Sequence, residues 1–252
     1  MAWFSSRTST PVISDARAAK AASRAARTPA QRFLREWVLP IGVVMAIMAP
    51  IRSVVADWND VPSGSMRPTI LEGDRIYVNK LAFGLRLPFT NTYLARWDEP
   101  RRGDIATFAS PADGIRLVKR VIGVPGDTIE LRNNTLFVNG AEARTSITST
   151  STQPIPGRAA VSATLARENL SGVDHAIEII PGLASRSTFG PITVPAGKYF
   201  MMGDNRDMSN DSRYIGSVPI ESFYGRCSGV ALSLDPDSSY WPRWGRWFSA
   251  LR

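Results

Sequence analysis

The chain has 252 residues, 44% of them hydrophobic and 21% charged, with a formal net charge of +8 and a single cysteine, Cys227. That cysteine count excludes an intramolecular disulfide and a cysteine-based metal cluster, so any fold must stand on its hydrophobic core. All-β units of this length do occur as single domains, and a charge of this size distinguishes a lipid partner from a nucleic acid only through its distribution.

Residues 1–36 hold seven Lys/Arg against Asp15 and Glu36, a net of +5, so most of the excess lies ahead of the one long apolar run. Ser14 and Asp15 are placed to cap an Ala-rich helix with Arg17, Lys20, Arg24 and Arg27 on roughly one face before Pro29. An arm lying on anionic lipid and a solvated arm are both compatible with that pattern. The apolar run, Trp37 to Ile51, is 15 residues without a charge, about 22 Å at helical rise against roughly 30 Å of bilayer hydrocarbon. Snorkelling of Arg35 and Arg52 extends it to Phe33–Ala56, with Trp37 and Trp58 near the two interfaces.

We therefore read 1–36 as a cytoplasmic tail, 37–56 as a transmembrane segment and 57–252 as an extracytoplasmic domain, following the excess of positive charge. Competing readings are a buried core helix, a secretory signal cleaved near Val54, Val55 and Ala56, and a mitochondrial transit peptide. A nucleic-acid role is not expected, because few aromatics interleave with the basic residues and a membrane span follows them.

Beyond Asp57 the pattern changes to short β-type runs broken by Gly, Pro and Asn: DRIYVNKLAFG from Asp74, GDIATFAS from Gly103, IRLVKRVIGV from Ile115, DTIELRNNTLFVNG from Asp127 and GKYFMMGD from Gly197. These predict a mainly β domain. Asn133 and Asn134 mark a tight hairpin between two of the runs. Residues 141–191, with TSITSTST from Thr145 to Thr152, several prolines and glycines and few long apolar runs, read as a polar excursion from the core. The segment from Ser239 to Arg252 contains three of the seven tryptophans. Helical spacing puts Trp241, Trp244, Phe248 and Leu251 on one face and Arg243 and Arg246 largely elsewhere, which suits either a bilayer interface or a closing element packed on the β-domain.

Three blocks carry chemistry. PSGSMRPTI, Pro62 to Ile70, places Ser63 and Ser65 around Gly64 just after the apolar run. A serine becomes a nucleophile only with a base beside it, and the only histidine, His175, lies far downstream in a polar stretch, where we expect a surface or loop residue. A Ser-His-Asp triad is therefore not expected. LVKRVIGVPGD, Leu117 to Asp127, offers Lys119 inside a short apolar strand, where desolvation by Val118, Val121 and Ile122 disfavours the ammonium. The third block, MMGDNRDMSNDSRYIG from Met201 to Gly216, is a Gly/Asp/Asn/Ser-dense loop. Nothing has metal-ligand spacing or the context of a phosphate cradle, so no metal and no cofactor are expected.

Taken in order, PSGSMRPT, GDIATF, LVKRVIGVPGD and GDNRDMSNDSR resemble the blocks of the type I signal peptidases, membrane-bound Ser/Lys proteases that remove signal peptides from exported proteins. The likeness is close over residues 61–129 and 193–229 and absent between 141 and 191. Met208 stands where the family usually has asparagine. The resemblance implies an all-β catalytic core with a smaller β-subdomain formed by the excursion 141–191, Ser65 as nucleophile, Lys119 as general base, and an oxyanion hole from the Ser63 hydroxyl and the Ser65 N–H. It also implies that Ser209 orients the lysine amine and that Arg120, Asp204, Asp211 and Arg213 form a supporting network.

The implied substrate binds as an added strand, with Val61, Pro62, Met66, Ile70, Leu117 and Val118 adjoining its pockets and an Ala-X-Ala preference before the cut. The partners implied are signal peptides of secreted preproteins, the lipid bilayer and the export machinery. The location implied is the bacterial inner membrane, with the N-terminus in the cytoplasm. Two alternatives remain: a dedicated conjugation or pilin-maturation peptidase with the same dyad, and an inactive membrane-anchored β-domain that only binds peptides.

Overall fold

A computed structural model of the chain describes residues 28–87, 90, 92–153 and 160–251. The tail before Thr28, with its expected Ser14 and Asp15 cap, lies outside the described residues, as does the side chain of Arg52. The chain divides into two compact units, Met1–Pro50 and Ile51–Arg252.

In the first unit Thr28 and Gln31 close a reciprocal capping box ahead of a helix at Pro29–Phe33, with Pro29 in the first turn where no N–H is needed. A π-helical turn, Leu34–Val38, follows, and then a 16-residue helix, Leu39–Val54. No helix among the described residues is long and apolar enough to cross a membrane. The expected segment 37–56 is also shorter at its end than the sequence suggested. Ala56 opens a strand and pairs with Asn79 instead of extending the helix.

The second unit is built from β1 (Ala56–Asp60), β2 (Asp74–Asn79), β3 (Gly84–Arg86), β4 (Tyr93–Arg96), β5 (Ile105–Ala109), β6 (Arg116–Gly123), β7 (Thr128–Arg132), β8 (Thr135–Val138) and β9 (Ala141–Glu142). It continues with β10 (Thr145–Gln153), β11 (Val161–Leu170), β12 (Val173–Ile179), β13 (Phe189–Thr193), β14 (Lys198–Met202), β15 (Val218–Pro219), β16 (Phe223–Asp235), β17 (Trp241–Pro242) and β18 (Ser249–Ala250). The expected mainly β fold is present. The large sheet runs β1-β2-β16-β5-β6-β14-β15, with β17 and β18 also on β16. The segment 141–191 supplies the antiparallel sheet β10-β11-β12 and sends β13 to pair with β7.

The turn between β7 and β8 forms where Asn133 and Asn134 predict it, both with positive φ, 47° and 65°, as a two-residue hairpin requires. Three apolar clusters hold the sheets. One joins Ile122, Phe200 and Met202 to β7 and β8. A second stacks Phe83, Phe108, Tyr199 and Phe223. The third, Val61, Met66, Ile70, Ile76, Val78, Ile105 and Cys227, lies beneath the PSGSM turn.

The C-terminal segment is not a helix. It forms β17, a single 3₁₀ turn at Trp244–Arg246, and β18. Positive φ at Ser239, Tyr240 and Phe248 breaks any helical repeat, and the two arginines are committed to the β-domain. Arg243 Nη2 donates to the carbonyl of Leu234 at 2.6 Å, and Arg246 pairs with the fully buried Asp74 at 2.5 Å. Leu251 packs on the third cluster, whereas Trp241, Trp244 and Phe248 are 72%, 64% and 85% exposed.

Candidate active site

Ser63 has extended backbone (φ −134°, ψ 151°), and the next three residues turn through a 3₁₀ helix, Gly64–Met66. Met66 is sunk in the third core cluster and anchors that turn. Ser65, just before it, is half-buried at the surface. Lys119 lies on β6 opposite Ala106 of β5 and is 2% exposed. Its Nζ is 2.6 Å from Ser65 Oγ, and Ser63 Oγ is 3.5 Å from the same oxygen.

Burial dominates the charge state of Lys119. It outweighs the attraction of Asp211 and Asp204, and with repulsion from Arg213 it lowers the pKa from 10.5 to about 8. The neighbouring carboxylates fail to hold the proton because each is already matched by an arginine. Arg120 Nε and Nη2 donate to the two oxygens of Asp204 at 2.8 and 2.7 Å. Arg213 Nε and Nη2 donate to those of Asp211, both at 2.8 Å. Burial opposes ionisation of Asp204, yet the charge and hydrogen bonds of Arg120 prevail and hold it below its ordinary range. Thr69, four residues past Ser65, also donates to Asp204, which ties the nucleophile block to the loop after β14.

That loop approaches very closely. Asn205 N–H donates to the Ser65 carbonyl at 3.2 Å. Gly203 sits so near that a Cβ there would overlap both the Ser65 carbonyl oxygen and Ser209 Oγ, so only glycine fits.

A family model described as "Signal peptidase, peptidase S26" matches residues 34–232. The chain belongs to that family. It is 38% identical over 219 residues to a signal peptidase I of Pseudomonas aeruginosa, covering 81% of this chain and 74% of that one. A signal peptidase I of Rickettsia typhi is 34% identical over 211 residues, covering 75% and 77%. A solved signal peptidase I from Enterococcus faecalis is 32% identical, covering 52% of this chain and 98% of its own, with a TM-score of 0.32.

The structure brings Ser63 and Lys119 to Ser65 Oγ, ties Asp204 to that block through Thr69, and pairs Arg120 with Asp204 and Arg213 with Asp211. Three expectations change. Ser209 Oγ, expected on the Lys119 amine, is buried with no hydrogen-bond partner among the described residues and lies against Gly203. Of the expected pocket residues, Met66 and Ile70 are 1% and 0% exposed inside the third cluster, and Val61 is buried with them, so they are packing and not open lining. Pro62 is exposed and Leu117 and Val118 are half-buried, which leaves these three available to a ligand. Met208, where the family usually has asparagine, is 39% exposed, and its N–H donates to Asn205 Oδ1 at 3.2 Å.

The third change is His175, which is 1% exposed. It pairs across β11-β12 with Glu168, and its Nε2 is 3.4 Å from that carboxylate. Burial pushes Glu168 upward, but Arg206, donating to Oε1 at 2.8 Å, and His175 bring it down to about 2. The sequence reading missed Gln153, Glu168, Glu178, Asn205 and Arg206. Asn205 and Arg206 lie within GDNRD itself, so they could have been found. The other three lie in the excursion, where no motif flags them.

Proposed function

We propose that Ser65 and Lys119 form the catalytic dyad of a membrane-anchored endopeptidase that removes signal peptides from exported preproteins on the outer face of the bacterial cytoplasmic membrane. Family membership makes the chain a signal-peptide-cleaving serine endopeptidase. The observation that carries the dyad is the 2.6 Å approach of a buried, pKa-lowered amine to Ser65 Oγ. At pH 7 a pKa of about 8 leaves roughly 9% of the amine neutral, about 300 times more than an ordinary lysine.

Neutral Lys119 Nζ takes the Ser65 proton as Oγ attacks the scissile carbonyl, forming a tetrahedral oxyanion. The Ser65 N–H and the Ser63 hydroxyl are assigned to that oxyanion. The Lys119 ammonium then protonates the leaving amine, giving mature protein and a Ser65 ester of the signal peptide. Water, deprotonated by the again neutral Lys119, hydrolyses the ester.

β14 pairs with β6 only from Arg120 onward, through Arg120, Val121 and Gly123. Among the described residues the β6 backbone before Lys119 therefore has no strand on that side. An extended peptide added there brings its backbone to the dyad and its alternate side chains toward Leu117 and Val118.

The anchor reading rests on the first unit and the end of the helix that leaves it. Its described side chains are exposed and largely apolar over Leu34–Ala49, a surface that water does not favour. The π turn and the following helix form a run, Leu34–Val54, of about 30 Å at helical rise, near the thickness of the hydrocarbon layer. The basic tail places the N-terminus in the cytoplasm.

Incubating the full chain with a preprotein and sequencing the N-terminus of the product tests this reading. Wild type should release the mature end. Ser65→Ala, Lys119→Ala and Lys119→Arg should each leave the preprotein intact, because the pair acts as a unit and arginine stays charged at working pH. Processing by any of the three removes the dyad. Cleavage of several unrelated preproteins separates a general peptidase from a dedicated conjugation or pilin-type one.

A further inference from the structure

Glu178 on β12 is buried in the small sheet, and the dyad does not use it. Its carboxylate accepts two hydrogen bonds, both from amides: Gln153 Nε2 to Oε1 and Asn205 Nδ2 to Oε2, each 2.8 Å. The direction of each bond is set from outside. Gln153 Oε1 accepts from Arg67 Nη1, and Asn205 Oδ1 accepts from the Met208 N–H. An arginine and a main-chain N–H can only donate, so both amides must turn their oxygens outward and their NH₂ groups toward Glu178. Two donors therefore converge on residue 178, and only a group that accepts at both oxygens satisfies them.

Both ends of this chain reach the nucleophile turn. At one end Arg67 N–H closes the turn on the Gly64 carbonyl at 3.1 Å. At the other, Asn205 N–H holds the Ser65 carbonyl. The backbone of Glu178 grips the same loop, its N–H donating to the Asp204 carbonyl at 2.9 Å and its carbonyl accepting from Arg206 N–H at 2.8 Å.

We propose that Glu178 is a positioning residue for Ser65: through Gln153 and Arg67 on one side and Asn205 on the other, it fixes the turn that presents the nucleophile to Lys119. The excursion 141–191, where no catalytic motif lies, is thereby part of the apparatus that aims the serine. This inference rests on the assignment of Ser65 and Lys119 as the dyad.

The test uses the full-length chain in detergent micelles with a preprotein substrate, measuring kcat and KM separately. Glu178→Gln sets a donor against a donor, and kcat should fall roughly tenfold to a hundredfold, the penalty of a misplaced reacting group, with KM within about twofold. Gln153→Glu combined with Glu178→Gln reverses the polarity consistently. Arg67 and the amide introduced at position 178 would both donate to the carboxylate at position 153, and Asn205 would donate to the oxygen of that amide, so kcat should return to within about threefold of wild type. Wild-type kcat in Glu178→Gln overturns the proposal, as does a folded double variant no faster than the single one. If Glu178→Gln does not fold, the double variant decides alone, since it must fold and turn over. Ser65→Ala in parallel separates the two claims: an active Ser65→Ala removes the dyad, whereas an inactive one beside a fully active Glu178→Gln removes only the positioning role.

Discussion

At neutral pH most Lys119 side chains still carry a proton in a site that disfavours it. The lowering from 10.5 to about 8 corresponds to roughly 3 kcal/mol at 1.36 kcal/mol per unit. Because the folded pKa is the lower one, the unfolded chain binds more protons between about pH 8 and 10.5, and the site's contribution to stability improves as pH rises through that window. The catalytic sign is the same, since the base works only when neutral. We expect kcat, with chemistry rate-limiting, to rise about tenfold from pH 7 to a plateau with a midpoint near pH 8, as read from single-turnover rates. A flat profile over that range would exclude a lysine base. Desolvation of Lys119 was legible in its apolar flanks, and the family resemblance implied a network of Arg120, Asp204, Asp211 and Arg213, but not which carboxylate each arginine matches. Asp211 and Arg213 are two residues apart in the chain, whereas Arg120 on β6 meets Asp204, in the loop after β14, only through folding.

At the scale of elements, the hairpin and the C-terminal segment show opposite limits of sequence reading. The β7-β8 turn depends on two adjacent asparagines that tolerate positive φ, a local property. The C-terminus depends on a distant one. Its aromatic spacing fits a helix, but Asp74 on β2 is fully buried and draws Arg246 to it, with Arg246 Nη2 also donating to the Thr69 carbonyl at 3.0 Å. Trp247 Nε1 adds a bond to the Ser233 carbonyl at 3.0 Å. Arg246→Met should leave Asp74 buried without its cation and lower stability by about 3 kcal/mol, the scale for breaking a buried pair. Thermal unfolding would register this as a drop of several degrees, and adding Asp74→Asn should recover part of it. An unchanged melting temperature would show that the clamp carries no stability.

For the whole molecule, the C-terminal segment closes on the β-domain with some residues and presents others to solvent. Arg243, Arg246, Trp247 and Leu251 fasten it to the β-domain, while Trp241, Trp244 and Phe248 remain in solvent. Exposed tryptophan suits the headgroup region of a bilayer, where the ring is half-solvated. A fragment of residues 51–252, the second compact unit, should bind anionic vesicles in a sedimentation assay. Changing Trp241, Trp244 and Phe248 together to serine should weaken that binding about tenfold or more without lowering the melting temperature, because none of the three is buried. Equal vesicle binding by the folded triple variant would refute the interfacial role.

By itself the sequence determined what depends on neighbours in the chain. The alternation and turn residues of β5 to β8 specify strands and a hairpin, the glycine between two serines marks the PSGSM turn, and a lysine set among valines loses affinity for its proton. Tertiary structure decided what depends on partners far apart in sequence. It buried His175 against Glu168, left Ser209 Oγ unpaired beside Gly203, withdrew Met66 and Ile70 into the core, and carried Glu178 from a segment without motifs to the loop that holds Ser65. The physical reason is that backbone conformation and local desolvation are set within a few residues. The direction of a buried hydrogen bond and the neutralisation of a buried charge are instead set by whichever group the fold brings alongside.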